Sequence, residues 1–279
     1  MITRFAPSPT GLLHLGHAYA AVYAYELARS NGGRFYLRFE DIDLTRVRAE
    51  YYLAIEQDLA WLGIDWDGTP LRQSDRLPVY MEALERLKEA GVVYPCFCSR
   101  REIQQEMKSM ASAPHEPGGE APYPGKCRSI SEGERADRIG AGEAHCWRLD
   151  ASLAARRTGP LMFEDRLRGT MIVDAHLSGD VVLARKDIAT SYHLAVVIDD
   201  AYQQVTHVSR GEDLLTSTHV QRVLQNLLGL PVPVYHHHRL ILDEHGKRLA
   251  KRDRALSLRA LREEGKTPGE VMGMLLPLE

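Results

Sequence analysis

Two stretches near the N-terminus decide the fold of this chain: RFAPSPTGLLHLGH at residues 4–17 and GGRFYLRFEDID at residues 32–43. Residues 1–5 are predicted to form a strand. The turn-rich segment that follows leads into an amphipathic helix over residues 17–30. The second stretch alternates and is rich in aromatic residues, as strands are. A strand, a loop, a helix and a strand in this order predict an α/β nucleotide-binding fold with a parallel sheet.

Length and composition limit the class of protein. The chain has 279 residues, 44% of them hydrophobic and 26% charged, which suits one large domain with an insertion or two modest domains. It contains no run of eighteen apolar residues, and its first residues lack the apolar core of a signal peptide. We therefore expect a cytoplasmic protein whose four cysteines are thiols or metal ligands.

The net charge of −3 is low for a dedicated DNA-binding protein. A nucleic-acid partner would therefore have to contact a local basic patch. The clearest candidate is KRLAKRDRALSLR at residues 247–259, which has six basic residues. A solvated helix face would have the same composition.

His14, Gly16 and His17 stand at the predicted start of the first helix. A helix N-terminus exposes unpaired N–H groups and a partial positive charge, which suit a phosphate. Gly11 and Gly16 would let the backbone approach such a ligand closely. The two imidazoles could donate hydrogen bonds to phosphate oxygens as charge develops on them. Taken alone, H-x-G-H fits equally well an ordinary glycine turn with two surface histidines.

In this context the pattern resembles the HIGH signature of class I aminoacyl-tRNA synthetases, with Leu15 at its second position. RFAPSPTG, HLGHAYAA and GGRFYLRFEDID together resemble the glutamyl/glutaminyl branch. The resemblance spans about residues 4–252 and implies a Rossmann-type catalytic domain that uses ATP with Mg²⁺. It predicts the two halves of this domain at 1–95 and 181–240, a zinc-bearing, acceptor-binding-like insertion at 96–180, and a lysine loop with a short helical stem-contact tail at 241–279.

A second signature of the class, KMSKS or KLSKR, corresponds here to RLAKR at residues 248–252. Lys251 matches the lysine that the family uses on the ATP phosphates, a role for a compact charge on a flexible stem. Arg248 and Ala250 depart from the motif, so the role of Arg248 stays open, and a basic helix cap is the alternative interpretation. The preceding His236–His238 run is interpreted as fold or nucleotide pocket, since consecutive strand residues point to alternate faces.

A glutamate pocket needs a cation for the carboxylate and an anion for the ammonium of its substrate. Arginine binds carboxylates as a bidentate fork, and parallel strands end where such folds bind ligands. An arginine at the side-chain carboxylate would reject glutamine. A surface salt bridge is the alternative for any one of these residues. The resemblance carries glutamate contacts to the matching motif positions, which are Arg4, Phe5, Ala6, Pro7, Ser8, Glu40, Tyr192 and Arg210.

Cys96, Cys98, Tyr123 and Cys127 could supply four ligands to a tetrahedral site, and three thiolates favour zinc. C-x-C is a weaker signal than paired C-x-x-C, and unrelated free thiols are the alternative. Short paralogues of the glutamyl synthetases carry the pattern C-x-C…Y-x₃-C. The resemblance therefore implies one structural zinc per chain, which would pin the Pro- and Gly-rich loop at 109–125. Cys146 is expected to be a core thiol.

Only 27 residues follow Arg252, too few for the helical anticodon-binding domain of full glutamyl synthetases. The resemblance therefore points to the short paralogues, which activate glutamate without tRNA and attach it to the queuosine at the wobble position of tRNA(Asp). We expect such an enzyme to be a monomer. Three alternatives stay open: a minimal synthetase that charges a tRNA 3′ end, a non-catalytic glutamate- or RNA-binding module, and another class I activity such as glutaminyl transfer.

Overall fold

The computed structural model describes residues 1–99, 101–103, 123, 125–241, 257–275 and 278. Within these ranges the strands are β1 (Ile2–Phe5), β2 (Arg34–Phe39), β3 (Leu71–Arg72), β4 (Val93–Cys96), β5 (Cys146–Leu149), β6 (Met162–Asp165), β7 (Gly169–Ile172), β8 (Val182–Ala184), β9 (His207–Gly211) and β10 (Val234–His238). The helices are α1 (Leu15–Arg29), α2 (Ala49–Trp61), α3 (Leu77–Glu89), α4 (Glu132–Gly140), α5 (Ala151–Thr158), α6 (Tyr192–Tyr202), α7 (Leu215–Leu228), α8 (Leu258–Glu263) and α9 (Pro268–Leu275).

Two parallel sheets meet at the centre of the molecule. β1, β2 and β3 are parallel to one another, as are β9, β10 and β6. The amide of Thr206 donates to the carbonyl of Ile2 at 3.0 Å, so the start of β9 lies beside β1. The strands therefore lie in the order β3-β2-β1-β9-β10-β6. The chain adds β2 and β3 on one side of β1 and the later strands on its other side, and α/β folds bind ligands at such a switch point. The predicted α/β class is confirmed.

α1 packs against both sheets and brings its own N-terminus to the switch point. Its buried side is made largely of small residues, which allow the helix to lie close to the strands. The return from α1 to β2 is tight, because a Cβ on Gly33 would lie 2.1 Å from the carbonyl oxygen of Met1. Glycine is therefore required at this point of the second sequence stretch.

A separate antiparallel sheet, β4-β5-β8, lies in the middle of the chain. The β6–β7 hairpin falls inside the range 96–180 proposed as the insertion, yet β6 pairs in parallel with β10 through Asp165 and Tyr235. That part of the range thus joins the parallel core. Most of the loop expected at 109–125 lies outside the described residues.

α1 lies where the sequence predicted a helix over residues 17–30, with its ends shifted by one or two residues. The largely apolar stretch 191–199 belongs to the helix α6. A fully buried helix and a buried strand are both continuously apolar, so periodicity could not assign it. None of the described helices combines the length and hydropathy needed to cross a bilayer.

Candidate active site

A cavity of about 420 Å³ opens at the switch point between β1 and β9. Its lining includes residues from the end of β1, the start of α1, the end of β2, the start of α6 and the end of β9. The structure thus brings together every predicted glutamate and HIGH-motif residue: Arg4, Phe5, Ala6, Pro7, Ser8, His14, Gly16, His17, Glu40, Tyr192 and Arg210. The predicted ATP-binding residues Arg248 and Lys251 lie outside the described residues.

The two histidines form a reciprocal cap at the start of α1. Nδ1 of His14 accepts a hydrogen bond from the amide of Gly16 at 3.1 Å, and Nδ1 of His17 accepts one from the amide of His14 at 3.2 Å. Each neutral ring therefore carries its proton on Nε2, where it can act as a donor. A Cβ on residue 16 would lie only 3.0 Å from Cε1 of His14, which explains the glycine between the histidines.

A buried ionic network lies behind the cavity wall formed by Arg4 and Glu40. Nε of Arg4 and NH1 of Arg38 donate to the same oxygen of Asp200, at 2.9 and 2.7 Å. Burial by itself would raise the pKa of Asp200, but the two guanidinium groups hold it below its ordinary value. The Arg4 pair is only 5% and 9% exposed, so it is a buried interaction and not the surface salt bridge considered above.

Glu40 provides the anion on the cavity side of this network. Its carboxylate lies 3.6 Å from NH2 of Arg38 and is 15% exposed, and it lines the cavity. Burial raises the pKa of Glu40, although Arg38 and Arg4 act in the opposite direction. An ammonium group bound beside Glu40 would favour the ionised form, so this carboxylate suits the amino group of an amino acid.

Arg210 is the second buried arginine of the cavity, 5% exposed. Its NH1 donates to the hydroxyl of Tyr192 at 3.2 Å, which joins two residues that the sequence predicted separately. Its remaining nitrogens donate to Thr218 and His237.

The sequence analysis did not identify several residues of these networks. Arg38 stands two positions before the predicted Glu40 in the quoted stretch GGRFYLRFEDID, and that position was its available signal. Asp200 stands in VIDD at residues 197–200, in the same segment as the predicted Tyr192. Thr218 and the contact between Asp165 and His237 had no comparable signal, although His237 belongs to the histidine run that was interpreted from the sequence as fold or nucleotide pocket. The paired residues are 72 positions apart and meet only because β6 and β10 are neighbours.

The cysteine cluster lies beside the end of β4. The sulfur atoms of Cys96, Cys98 and Cys127 all lie within 4.8 Å of one another. The hydroxyl of Tyr123 is 3.4 Å from Sγ of both Cys96 and Cys98, and it accepts a hydrogen bond from the amide of Cys127 at 3.0 Å. Three thiols and a phenol thus converge, and this donor set fits a tetrahedral zinc ion.

Electrostatics around the cluster favour a thiolate at Cys96 but oppose ionisation of Cys98 and Tyr123. Hydrogen bonds from Cys146, Tyr123 and Arg148 lower the pKa of Cys96 to about 4, whereas burial raises that of Cys98 to about 11. The guanidinium of Arg148 also lies 4.0 Å from the centre of the Tyr123 ring. Cys146 is buried and is paired with Cys96 across β4 and β5, in keeping with the predicted core thiol.

Residues 1–277 match the protein family described as tRNA synthetases class I (E and Q), catalytic domain. The chain belongs to this family. It is 52% identical to the glutamyl-Q tRNA(Asp) synthetase of Rhodobacter capsulatus, over 99% of each chain. It is 46% identical to the protein of the same name from Nocardia farcinica, over 98% of this chain and 82% of that one.

Longer members of the class I synthetase family also align with almost the whole chain. The glutamate–tRNA ligase of Aquifex aeolicus is 41% identical over 98% of this chain, which covers 56% of that enzyme. The crystal structure of a glutamate tRNA ligase from Elizabethkingia meningosepticum superposes with a TM-score of 0.83 at 29% identity, over 99% of this chain and 60% of its own. The fold of this chain is therefore that of the catalytic part of these ligases.

Proposed function

We propose that this protein activates L-glutamate with ATP and transfers the glutamyl group to the queuosine at the wobble position of tRNA(Asp). The observation that carries the proposal is that one cavity combines two features. Its wall carries a carboxylate and two arginines, and it also contains the helix start that the two histidines cap. The relatives that align along 82–99% of their own length bear the name of this activity.

The charges in the cavity support the proposed binding of glutamate. Arg210, with Tyr192 beside it, would bind the side-chain carboxylate, and Glu40 would bind the ammonium. Arg4 is held by Asp200 and by the carbonyl of Ser209, so it presents a fixed positive charge at the wall that also contains Phe5, Ala6, Pro7 and Ser8. Glutamine would leave the charge of Arg210 unpaired, which favours glutamate.

Activation requires charge stabilisation on the phosphates of ATP. An oxygen of the α-carboxylate of glutamate attacks the α-phosphorus, the bond to the β-phosphate oxygen breaks, and pyrophosphate leaves. His14 and His17, together with the N-terminus of α1, would donate to the phosphate oxygens as charge develops. We assign Lys251 and Arg248 to the same phosphates, and Mg²⁺ would accompany the nucleotide.

Transfer requires a second substrate to reach the activated carboxyl group. A neighbouring cavity of about 480 Å³ shares Ser8, Glu40 and Tyr192 with the first. A hydroxyl of the queuosine ring entering from this side would attack the glutamyl carbonyl carbon, and the bond to AMP would break. No side chain near this shared wall needs to be assigned as a general base, because positioning alone can accelerate such a step.

One structural zinc ion would be held by Cys96, Cys98, Tyr123 and Cys127. It would link the segment 96–98 to the segment 123–127. Nζ of Lys186 donates to the carbonyl of Phe97, within the cluster's first segment. The adjacent Arg185 contacts Asp43 at the neighbouring cavity. A metal here would thus support the side from which tRNA approaches.

The proposal divides the chain at residues 95, 180 and 240 into two halves of a catalytic domain, an insertion between them and a C-terminal segment. The C-terminal segment, residues 241–279, would contact the anticodon stem-loop of tRNA(Asp). A stem-loop that displays an unstacked base fits recognition by local phosphate contacts and a base pocket. The enzyme would act as a cytoplasmic monomer.

The proposal is tested by glutamate-dependent exchange of pyrophosphate into ATP without tRNA, followed by charging of tRNA(Asp). We expect exchange without tRNA and charging only of tRNA that contains queuosine. Removal of the 3′-terminal adenosine should not prevent charging. Exchange that requires tRNA, with label lost when the 3′ adenosine is removed, would instead indicate a minimal glutamyl-tRNA synthetase. The absence of any exchange would indicate a binding module, and equal use of glutamine would indicate a different specificity.

A further inference from the structure

We infer that Asp165 and His237 are positioning residues for glutamate recognition, because together they hold the guanidinium of Arg210 in one orientation at the cavity. The inference rests on the proposed function, which assigns Arg210 to the side-chain carboxylate of the substrate. It adds a pair of residues that do not touch the substrate, neither of which belongs to a motif.

Asp165 is itself rigidly held. It ends β6, and its Oδ1 accepts hydrogen bonds from the amides of Leu167 and Arg168 at 2.9 and 3.0 Å, in the turn that leads to β7. Its Oδ2 lies 2.5 Å from Nδ1 of His237 on the neighbouring strand β10. Both side chains are fully buried, so water does not compete for this contact.

The carboxylate decides the tautomer of the imidazole. An ionised carboxylate only accepts hydrogen bonds, so Nδ1 of His237 carries the proton and Nε2 carries the lone pair. That lone pair faces Nε of Arg210 at 3.2 Å and the hydroxyl of Thr218 at 2.8 Å. Burial and the charge of Arg210 lower the pKa of His237 to about 4, so the ring is neutral and remains an acceptor at pH 7.

Arg210 is thereby fixed along one edge. Nε donates to His237 and NH2 donates to the hydroxyl of Thr218 at 2.5 Å, while NH1 donates toward Tyr192 at the cavity. Contacts on all three nitrogens determine the plane of the guanidinium. Since bidentate binding of a carboxylate depends on that plane, the histidine contributes to affinity for glutamate without contacting it.

The histidine run supplies a matched control. His236 precedes His237 on β10 but faces the other side of the sheet, where its Nδ1 lies 3.5 Å from the hydroxyl of Tyr23. It is 6% exposed, and it does not line the cavity. Its replacement therefore removes a buried imidazole from the same strand without removing a contact of Arg210.

The experiment compares His237→Leu, His237→Gln and His236→Leu in tRNA-independent pyrophosphate exchange with the full chain. His237→Leu should raise the KM for glutamate by about 10- to 100-fold, because a hydrogen bond to a charged group is lost. The KM for ATP should stay within about twofold. The preference for glutamate over glutamine should fall. His237→Gln can place an amide oxygen near the Nε2 position and should recover most of the loss. His236→Leu should keep the wild-type KM for glutamate.

An unchanged KM for glutamate in His237→Leu would overturn the inference. So would equal increases in the KM values for glutamate and ATP, or the same defect in His236→Leu, since these indicate a general structural role. If His237→Leu does not fold, Asp165→Asn decides the question by the same comparison of the KM values for glutamate and ATP. A wild-type protein without exchange activity would count against the proposed function itself, which separates the two failures.

Discussion

The cavity and the cysteine cluster each bring polar groups together, but different interactions stabilise those groups in the two regions. Behind the cavity, the cations Arg4 and Arg38 share the carboxylate of Asp200, and NH1 of Arg38 also donates to Gln203 at 3.0 Å. Beside β4, three sulfur atoms and the Tyr123 hydroxyl mainly face one another, at contacts of 3.4 Å. The first region is organised by opposite charges within the chain. The second brings together groups that would repel one another once ionised.

This difference indicates how each region depends on ligands. A network whose charges are already paired can hold its geometry before a substrate arrives, which is the condition for tight positioning. A cluster of thiolates needs a cation to offset its charge, so its metal binding is coupled to its folding. The stability of the cavity network should therefore depend on each of its own charged side chains, whereas the stability of the cysteine cluster should depend on its metal ion.

The largest effect is expected from Asp200→Ala, which leaves the two buried guanidinium groups of Arg4 and Arg38 without their shared carboxylate. Removing one partner of a buried ion pair lowers the free energy of unfolding by about 3–5 kcal/mol. We expect the free energy of unfolding in urea to fall by that amount, and glutamate-dependent exchange to be lost.

Asp65→Ala is the matched control, because Asp65 pairs with Arg29 at the surface with 77% of its side chain exposed. Its cost should stay below about 1 kcal/mol. Similar costs for the two variants would show that the buried network does not organise the cavity.

A smaller effect is expected in the cysteine cluster from Cys98→Ser, compared with Cys146→Ser as the control outside the ligand set. Cys98→Ser should lose the one zinc per chain, whereas Cys146→Ser should retain it. At a hundredfold excess of free zinc over its dissociation constant, the bound ion contributes about 2.7 kcal/mol of stability. Metal analysis and unfolding with and without zinc measure both quantities. Full zinc content in Cys98→Ser would contradict the assigned ligands.

The smallest effect is the loss of stability at acid pH that arises from the buried histidines of β10, beside the cavity. Burial lowers the pKa of His236 and His237 to about 4, below the ordinary 6.5. The unfolded chain therefore binds protons between these values while the folded chain does not, and stability falls as pH drops below 6.5. From pH 6.5 to 5.5 we expect a loss of about 1 kcal/mol per histidine.

Asp58 opposes this trend, because burial raises its pKa to about 6 and the folded chain gains a proton there. Urea unfolding at several pH values measures the net slope, and His236→Leu should reduce it. A slope that is unchanged by His236→Leu would show that this imidazole does not titrate as a buried group.

Much of the site followed from short stretches of sequence. The glycine and histidines of HLGH predicted a helix start suited to phosphate, and the structure adds that the two histidines cap this helix. C-x-C and Y-x₃-C likewise place their donors within one or two turns of backbone, and the structure brings the two pairs together. The resemblance of RFAPSPTG, HLGHAYAA and GGRFYLRFEDID to one family assigned the cavity residues before any of them could be placed in space.

Local sequence alone determined the type and approximate position of the first strand, helix and second strand, because strand alternation, helix periodicity and glycine turns act over a few positions. Only the tertiary structure decided that α6 is a helix, that β6 joins the parallel core, and that Asp200 serves two arginines at once. It also decided the contact of Asp165 with His237. These features depend on which strands are neighbours and in what register, and pairing between segments 72 or more residues apart leaves no periodic signal along the chain.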